Sequence, residues 1–173
     1  MKILIACESS GVIRDAFRAK GHEAYSCDII DTGHEYHICD DVLNILDQNW
    51  DMMIAHPPCT YLASSGMHWT TRGFRDPQLT EDALEFVKKL MDAPIEKIVI
   101  ENPISIISTR IRKPDQYIQP YEFGEDASKK TSLWLKNLPA LKPTKYIEPR
   151  IIIKNGKEYK RWANQTDSGQ NKL

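Results

Sequence analysis

In WDMMIAHPPCTYLASSG an apolar run closes on Pro57-Pro58, and a cysteine, Cys59, follows at once. In KIVIENP a second apolar run closes on Glu101, with Asn102-Pro103 behind it. Proline cannot donate to a strand ladder, so the first run must leave a central sheet at His56-Pro57-Pro58 and present Cys59 on a loop. A thiolate is a strong nucleophile toward an electron-poor carbon, and a neighbouring carboxylic acid can activate that carbon by protonating or hydrogen-bonding its ring. Taken singly, a loop cysteine is a small hydrophobe and a strand-end acid a surface charge. Taken together, each just past a central strand, Cys59 and Glu101 point to function.

The elements that must position this pair read as alternating strands and helices. KILIA is a short β-rich run; after the polar turn at Gly11, residues Val12, Ile13, Ala16 and Phe17 have helical spacing, Gly21 stands as a cap, and AYSCD is a second strand ending in an acid. A short strand at YHIC, helical spacing in DDVLNIL and the strand WDMMIA follow. The stretch from Thr80 to Ala93 reads as a helix with Glu81 and Asp82 in its first turn, and KIVIE as the next strand. Alternation of this kind predicts a doubly wound, mostly parallel α/β sheet. Ligands of such sheets bind beyond the carboxyl ends of the strands, where Cys7, Glu8, Asp28, Cys59 and Glu101 would converge. Further on, TSLWL reads as a strand and RIIIKNGKEYKRW as a β-hairpin turning at Asn155-Gly156. The tail ANQTDSGQNKL is polar and reads as mobile.

The 173 residues fit one domain, with a core over about 1–140 and the hairpin and tail over 141–173. A net charge of -1 gives the whole chain no basic field, so nucleic-acid binding has to come from a local patch. No apolar run is long enough to span a bilayer, and the N-terminus opens a strand instead of a signal peptide, so the expected location is the cytoplasm. Cys7, Cys27, Cys39 and Cys59 form no CxxC pair, and with His34, His37 and His56 they match no standard zinc spacing, so no metal is expected. A zinc deaminase would need a His-x-Glu and a paired-cysteine pattern that the chain lacks.

With these residues in view, the sequence resembles the cytosine-5 DNA methyltransferases. Pro58-Cys59 and the run to Gly66 resemble the Pro-Cys loop of that family, and Glu101-Asn102-Pro103 is similar to its Glu-Asn-Val strand end. CESSGVIRDAF occupies the place of the cofactor loop, Asp28 that of the ribose-binding acid, and Asp41 that of the acid near adenine. QPYEFGEDASKKTSLWL is similar to a later segment with a turn, basic residues and a strand. The resemblance runs from about Met1 to Leu135, and the layout is similar to that of small bacteriophage and prophage proteins.

The resemblance implies a Rossmann-like fold of the S-adenosylmethionine-dependent methyltransferase type. It also implies methyl transfer to carbon 5 of cytosine through a covalent cysteine adduct. Cys59 and Glu101 would be catalytic. Cys7, Glu8, Ser9, Gly11, Asp28, Asp41 and Pro57 would hold S-adenosylmethionine, and Pro58, Ser64, Asn102, Lys129 and Lys130 would meet the substrate. That substrate would be duplex DNA, single-stranded DNA or a cytosine nucleotide. Three departures stand beside the resemblance: only Gly11 serves the cofactor loop, lysines replace arginines before TSLWL, and 38 residues follow Leu135, too few for a large recognition domain. Recognition would then fall to a homodimer or a protein partner. The alternative is a catalytically weak or inactive phage-encoded module of the same fold that binds a nucleotide-like ligand or a host protein.

Two further segments mix basic and aromatic groups. GMHWTTRGFRD could stack on a base or be a surface loop with Trp69 packed inward. KNGKEYKRW, with Lys154, Lys157, Lys160 and Arg161, reads first as a solvated ribbon that protects a sheet edge and second as a nucleic-acid contact.

Overall fold

Nine short strands and four helices, arranged in a mixed α/β architecture, make up the computed structural model, which describes residues 1–171. The strands are β1 (Lys2–Ala6), β2 (Glu23–Asp28), β3 (His37–Cys39), β4 (Met52–Ala55), β5 (Lys97–Pro103), β6 (Gln116–Ile118), β7 (Thr131–Lys136), β8 (Arg150–Lys154) and β9 (Lys157–Arg161). The helices are α1 (Val12–Arg18), α2 (Met67–Thr71), α3 (Pro77–Met91) and α4 (Ile107–Arg110). The last two residues of the polar tail lie outside the described residues.

The main sheet has the order β3-β2-β1-β4-β5-β7-β6, and β8-β9 form a separate two-stranded sheet. Strands β3, β2, β1, β4 and β5 are parallel, whereas β7 runs antiparallel to both β5 and β6. Strand order reverses between β1 and β4, which creates a crevice at their carboxyl ends. The antiparallel course of β7 places its first residue, Thr131, opposite Pro103 at that same edge.

Burial alternates along β4 and β5 and is continuous along β1, and the two sheet faces have different cores. Ile3, Ile5 and Ala24 on one face pack with Ile13 and Phe17 of α1. Leu4, Met53, Ile98 and Ile100 belong to the other core, which receives Leu84, Val87 and Leu90 of α3. Each of those three helix side chains contributes roughly 1.5–3 kcal/mol by leaving water, and a cut to alanine would cost about 2–5 kcal/mol.

Several local expectations are corrected. Helix α3 begins three residues before Thr80: Asp76 caps it by accepting from the Gln78 amide, and Pro77 stands at its first position. Thr80 is buried instead, and its hydroxyl donates to the Tyr61 carbonyl at 3.3 Å. On α1 only Ile13 and Phe17 pack inward; Val12 is 70% exposed and Arg14 is buried. The region DDVLNIL yields one 3-10 turn, Val42–Asn44, capped by Asp41. Gly21, by contrast, does sit at the turn after α1, at φ 80°, with the amides of Gly21 and His22 bonded to the carbonyls of Arg18 and Phe17.

The hairpin forms as expected, with Asn155 and Gly156 both at positive φ, but it protects no edge of the main sheet. Over 163–171 the tail is pinned: Asn164 exchanges two hydrogen bonds with Ser128, Arg150 pairs with Asp167 at 2.7 Å, and Gln165 bridges Asn171. Trp162 stacks on Tyr121 at 4.1 Å and holds the hairpin's root. No helix among the described residues is long and apolar enough to cross a membrane.

Candidate active site

The chain leaves β1 through Cys7, whose φ of 57° turns the backbone at the switch point at a cost of about 1–3 kcal/mol. Glu8 then folds back on its own loop: Oε1 accepts from the Ser10 hydroxyl and from the Gly11 amide, while Oε2 is buried without a partner. Gly11 has φ 76°, and a Cβ there would lie 2.2 Å from Nη2 of Arg14. That guanidinium is fixed by Ser26 Oγ at 2.9 Å and by both carboxylate oxygens of Asp15. Its hydrogen bond holds the Asp15 carboxyl below the usual range. The single glycine is therefore demanded both by its dihedral angle and by the buried arginine beneath it.

Beside this loop lies a cavity of about 580 Å³. Cys7, Asp28 and Pro58 line it, together with Ile29, Ile30 and Asp40 after the outer strands and Leu79, Asp82 and Phe86 from α3. Asp28 accepts from the Ile30 amide at 3.1 Å, shaping the segment that forms the wall. Asp41 is spent as a helix cap, and its neighbours Asp40 and Val42 reach the cavity instead. Glu8, Ser9 and Gly11 lie in the adjoining loop, outside the lining. A larger cavity, about 650 Å³, sits at the opposite end of the strands among Lys88, Arg112, Trp134 and Lys136. None of Cys7, Glu8, Asp28, Cys59 and Glu101 lines it.

On the other side of the switch point, the loop after β4 is laced to the end of β5. His56 Nδ1 lies 3.1 Å from Glu101 Oε2, and the Asn102 side-chain amide donates to the Pro57 carbonyl at 2.9 Å. Further along, the Ser64 amide donates to Ile104 O and the Ile106 amide to Leu62 O. Leu62 is fully buried and nails the loop to the core. Cys59 stands exposed between these ties, its carbonyl accepting from the amides of Leu62 and Ala63. Arg75 reaches back to donate to the Thr60 carbonyl at 2.8 Å.

The four cysteines divide by environment. Burial, reinforced by Asp28, pushes the Cys7 thiol up to about 12, and burial pushes the Cys27 thiol up to about 11, so both remain protonated near neutrality. Cys39 and Cys59 are exposed.

The structure thus brings Cys7, Glu8, Asp28, Pro58, Cys59 and Glu101 to one edge of the sheet. Lys129 and Lys130 are exposed immediately before β7, at that edge, and Lys130 Nζ lies 4.2 Å from the centre of the Tyr117 ring. Pro57 and Asn102 are buried beneath the loop, and Ser64 is one of its ties. His56 has no role assigned by sequence, because its partner Glu101 is 45 residues away. Trp69 packs on Phe74 and His68 and is 46% exposed, so the inward packing weighed for it is not found.

No family model and no curated protein matches the chain. Among solved structures it is similar to a protein from E. coli described as a candidate DNA modification methyltransferase encoded within a prophage, at 14% identity and a TM-score of 0.48. The match covers 77% of this chain and 45% of that one, so this chain spans less than half of its length.

Proposed function

We propose that the chain is an S-adenosylmethionine-dependent methyltransferase of doubly wound, Rossmann-like type that acts on carbon 5 of cytosine in DNA. The observation that carries this reading is the lacing that places exposed Cys59 and the strand-end carboxylate of Glu101 on one edge, next to a cavity with apolar walls and acids at its rim. The cavity suits the cofactor's chemistry. Ile29, Ile30 and Phe86 offer apolar surface to a purine, and Asp28 and Asp40 offer acceptors to sugar hydroxyls.

S-adenosylmethionine, when bound, supplies the electrophilic methyl group that carbon 5 requires. Cys59 Sγ adds to carbon 6 of the ring while Glu101 engages the ring nitrogen and the exocyclic amine, and carbon 5 becomes electron-rich. Once carbon 5 carries the methyl group, its proton passes to water and the bond from Sγ to carbon 6 breaks, which returns the thiolate and restores the aromatic ring. His56, in the tautomer with its proton on Nδ1, donates to Glu101 Oε2 and fixes the carboxylate's orientation. Asn102 acts one step removed, by holding Pro57 and with it the path of the loop. A target base in a duplex must first be flipped out of the stack.

Intact-mass analysis after incubation with S-adenosylmethionine and DNA containing 5-fluorocytosine tests the reading. Fluorine cannot leave as a proton does, so a true turnover is trapped as a covalent adduct. The expected result is an adduct that requires both the cofactor and Cys59. A folded protein that forms none on duplex DNA, single-stranded DNA or free nucleotide overturns the enzymatic reading and leaves the binding module.

A further inference from the structure

The separate ribbon β8-β9 carries five cationic side chains, Arg150, Lys154, Lys157, Lys160 and Arg161, against one acid, Glu158. That is a local net of +4 on a chain whose total is -1. The pairing register sorts these charges. Arg150 faces Arg161, Ile152 faces Tyr159 and Lys154 faces Lys157, so one face of the ribbon presents four cations around an isoleucine and a tyrosine. The opposite face holds Ile151 and Ile153, which are 49% and 71% exposed, with Lys160 and Glu158.

At its root the ribbon is rigidly mounted. Arg150 and Arg161 are held by Asp167, Trp162 stacks on Tyr121, and Asn164 pairs with Ser128. Ser128 lies just before Lys129, Lys130 and the start of β7, opposite Pro103 and therefore two residues beyond Glu101. At the tip, the side-chain amines of Lys154 and Lys157 have no hydrogen-bond or ion-pair partner among the described residues. A cationic ribbon held by the tail at its root and exposed at its tip, planted beside the laced loop, is built to meet a polyanion.

We infer that β8-β9 is a duplex-DNA docking element that lies in the major groove and sets Lys154 and Lys157 on the phosphates. Five residues per strand give a ribbon about 17 Å long, and the major groove, about 12 Å wide, admits a two-stranded ribbon. Charge complementarity names the partner, since the ribbon concentrates positive charge on a chain whose remainder is net negative. The inference deepens the methyl-transfer reading by naming the surface that holds the substrate. Its test reads binding alone, so the two can fail separately.

Fluorescence anisotropy of a short labelled duplex, titrated with the full chain carrying Cys59→Ala and no cofactor, supplies that test. Loss of two phosphate contacts in Lys154→Ala/Lys157→Ala is expected to lower affinity on the order of 50-fold at about 0.1 M salt. It should also reduce the slope of log affinity against log salt by about 1.8. Tyr159→Ala should weaken binding with the slope retained. Unchanged affinity and slope in the double variant, with melting like that of the parent, would overturn the inference. A parent protein that prefers single-stranded DNA of the same length would do so as well.

Discussion

The two halves of the reactive edge are built by different means. The half formed after β1, β2 and β3, closed by residues of α3, is a concave apolar wall whose acids also shape its turns and caps, as in Asp28 to Ile30 and Asp41 to Leu43. The half formed after β4 and β5 is a lattice of ties between two loops, from His56 and Glu101 to Ser64 and Ile104. A wall can tolerate small shifts of its side chains because dispersion and water exclusion are not directional. A lattice cannot, because each hydrogen bond weakens steeply with angle. The contrast suggests that ligand affinity resides in the first half and geometry in the second.

Cys59→Ser should have the largest effect. Trapping on fluorinated DNA falls to background, while Tm moves by less than about 2 °C, since the residue is exposed on a loop. A serine variant that still forms the adduct would show that the two halves have been assigned the wrong roles. Next in size, Glu101→Gln should reduce single-turnover methylation by roughly 10²–10⁴-fold with cofactor affinity unchanged in calorimetry.

Asn102→Ala removes a buried donor to Pro57 and should lower stability by about 1–3 kcal/mol in urea unfolding, with kcat reduced more than KM is raised. If kcat stays intact, the lattice holds the fold but not the chemistry, and the contrast collapses. Asp28→Asn, in the wall, should weaken S-adenosylmethionine roughly tenfold by calorimetry while chemistry at saturating cofactor changes little.

The smallest effect concerns pH. Cys7 and Cys27 keep their protons in the folded state beyond the ordinary thiol value of 9.0, so the folded chain binds more protons than the unfolded chain above that point. Stability contributed by the two neutral thiols is therefore complete below about pH 9 and declines as pH rises toward 12. Chemical unfolding of the parent and of Cys7→Ala across that range checks the sign, since the variant should lose stability less steeply.

Much of the sheet was legible because β1, β4 and β5 are apolar runs ended by an acid or a proline. The hairpin was legible because Asn-Gly at positive φ has a local cause. The start of α3 was missed although Asp76-Pro77 carried both a cap and a first-turn proline, because the acids after Thr80 offered a competing start. Buried Arg14 was illegible for a different reason. Its partners Ser26 and Asp15 and the space under Gly11 exist only once β2 lies against α1. His56 was illegible for the same reason, and so was the division of cysteines, because burial is a property of the assembled chain.

The ties between the loop after β4 and the end of β5 join residues forty or more positions apart, and the segment they enclose contains α2, α3 and most of β5. Such a ring opens as a unit. In hydrogen-exchange terms, the amides of Ser64 and Ile106 should share one opening free energy with the amide hydrogens of β5, and the reactive edge would be present or absent as a whole.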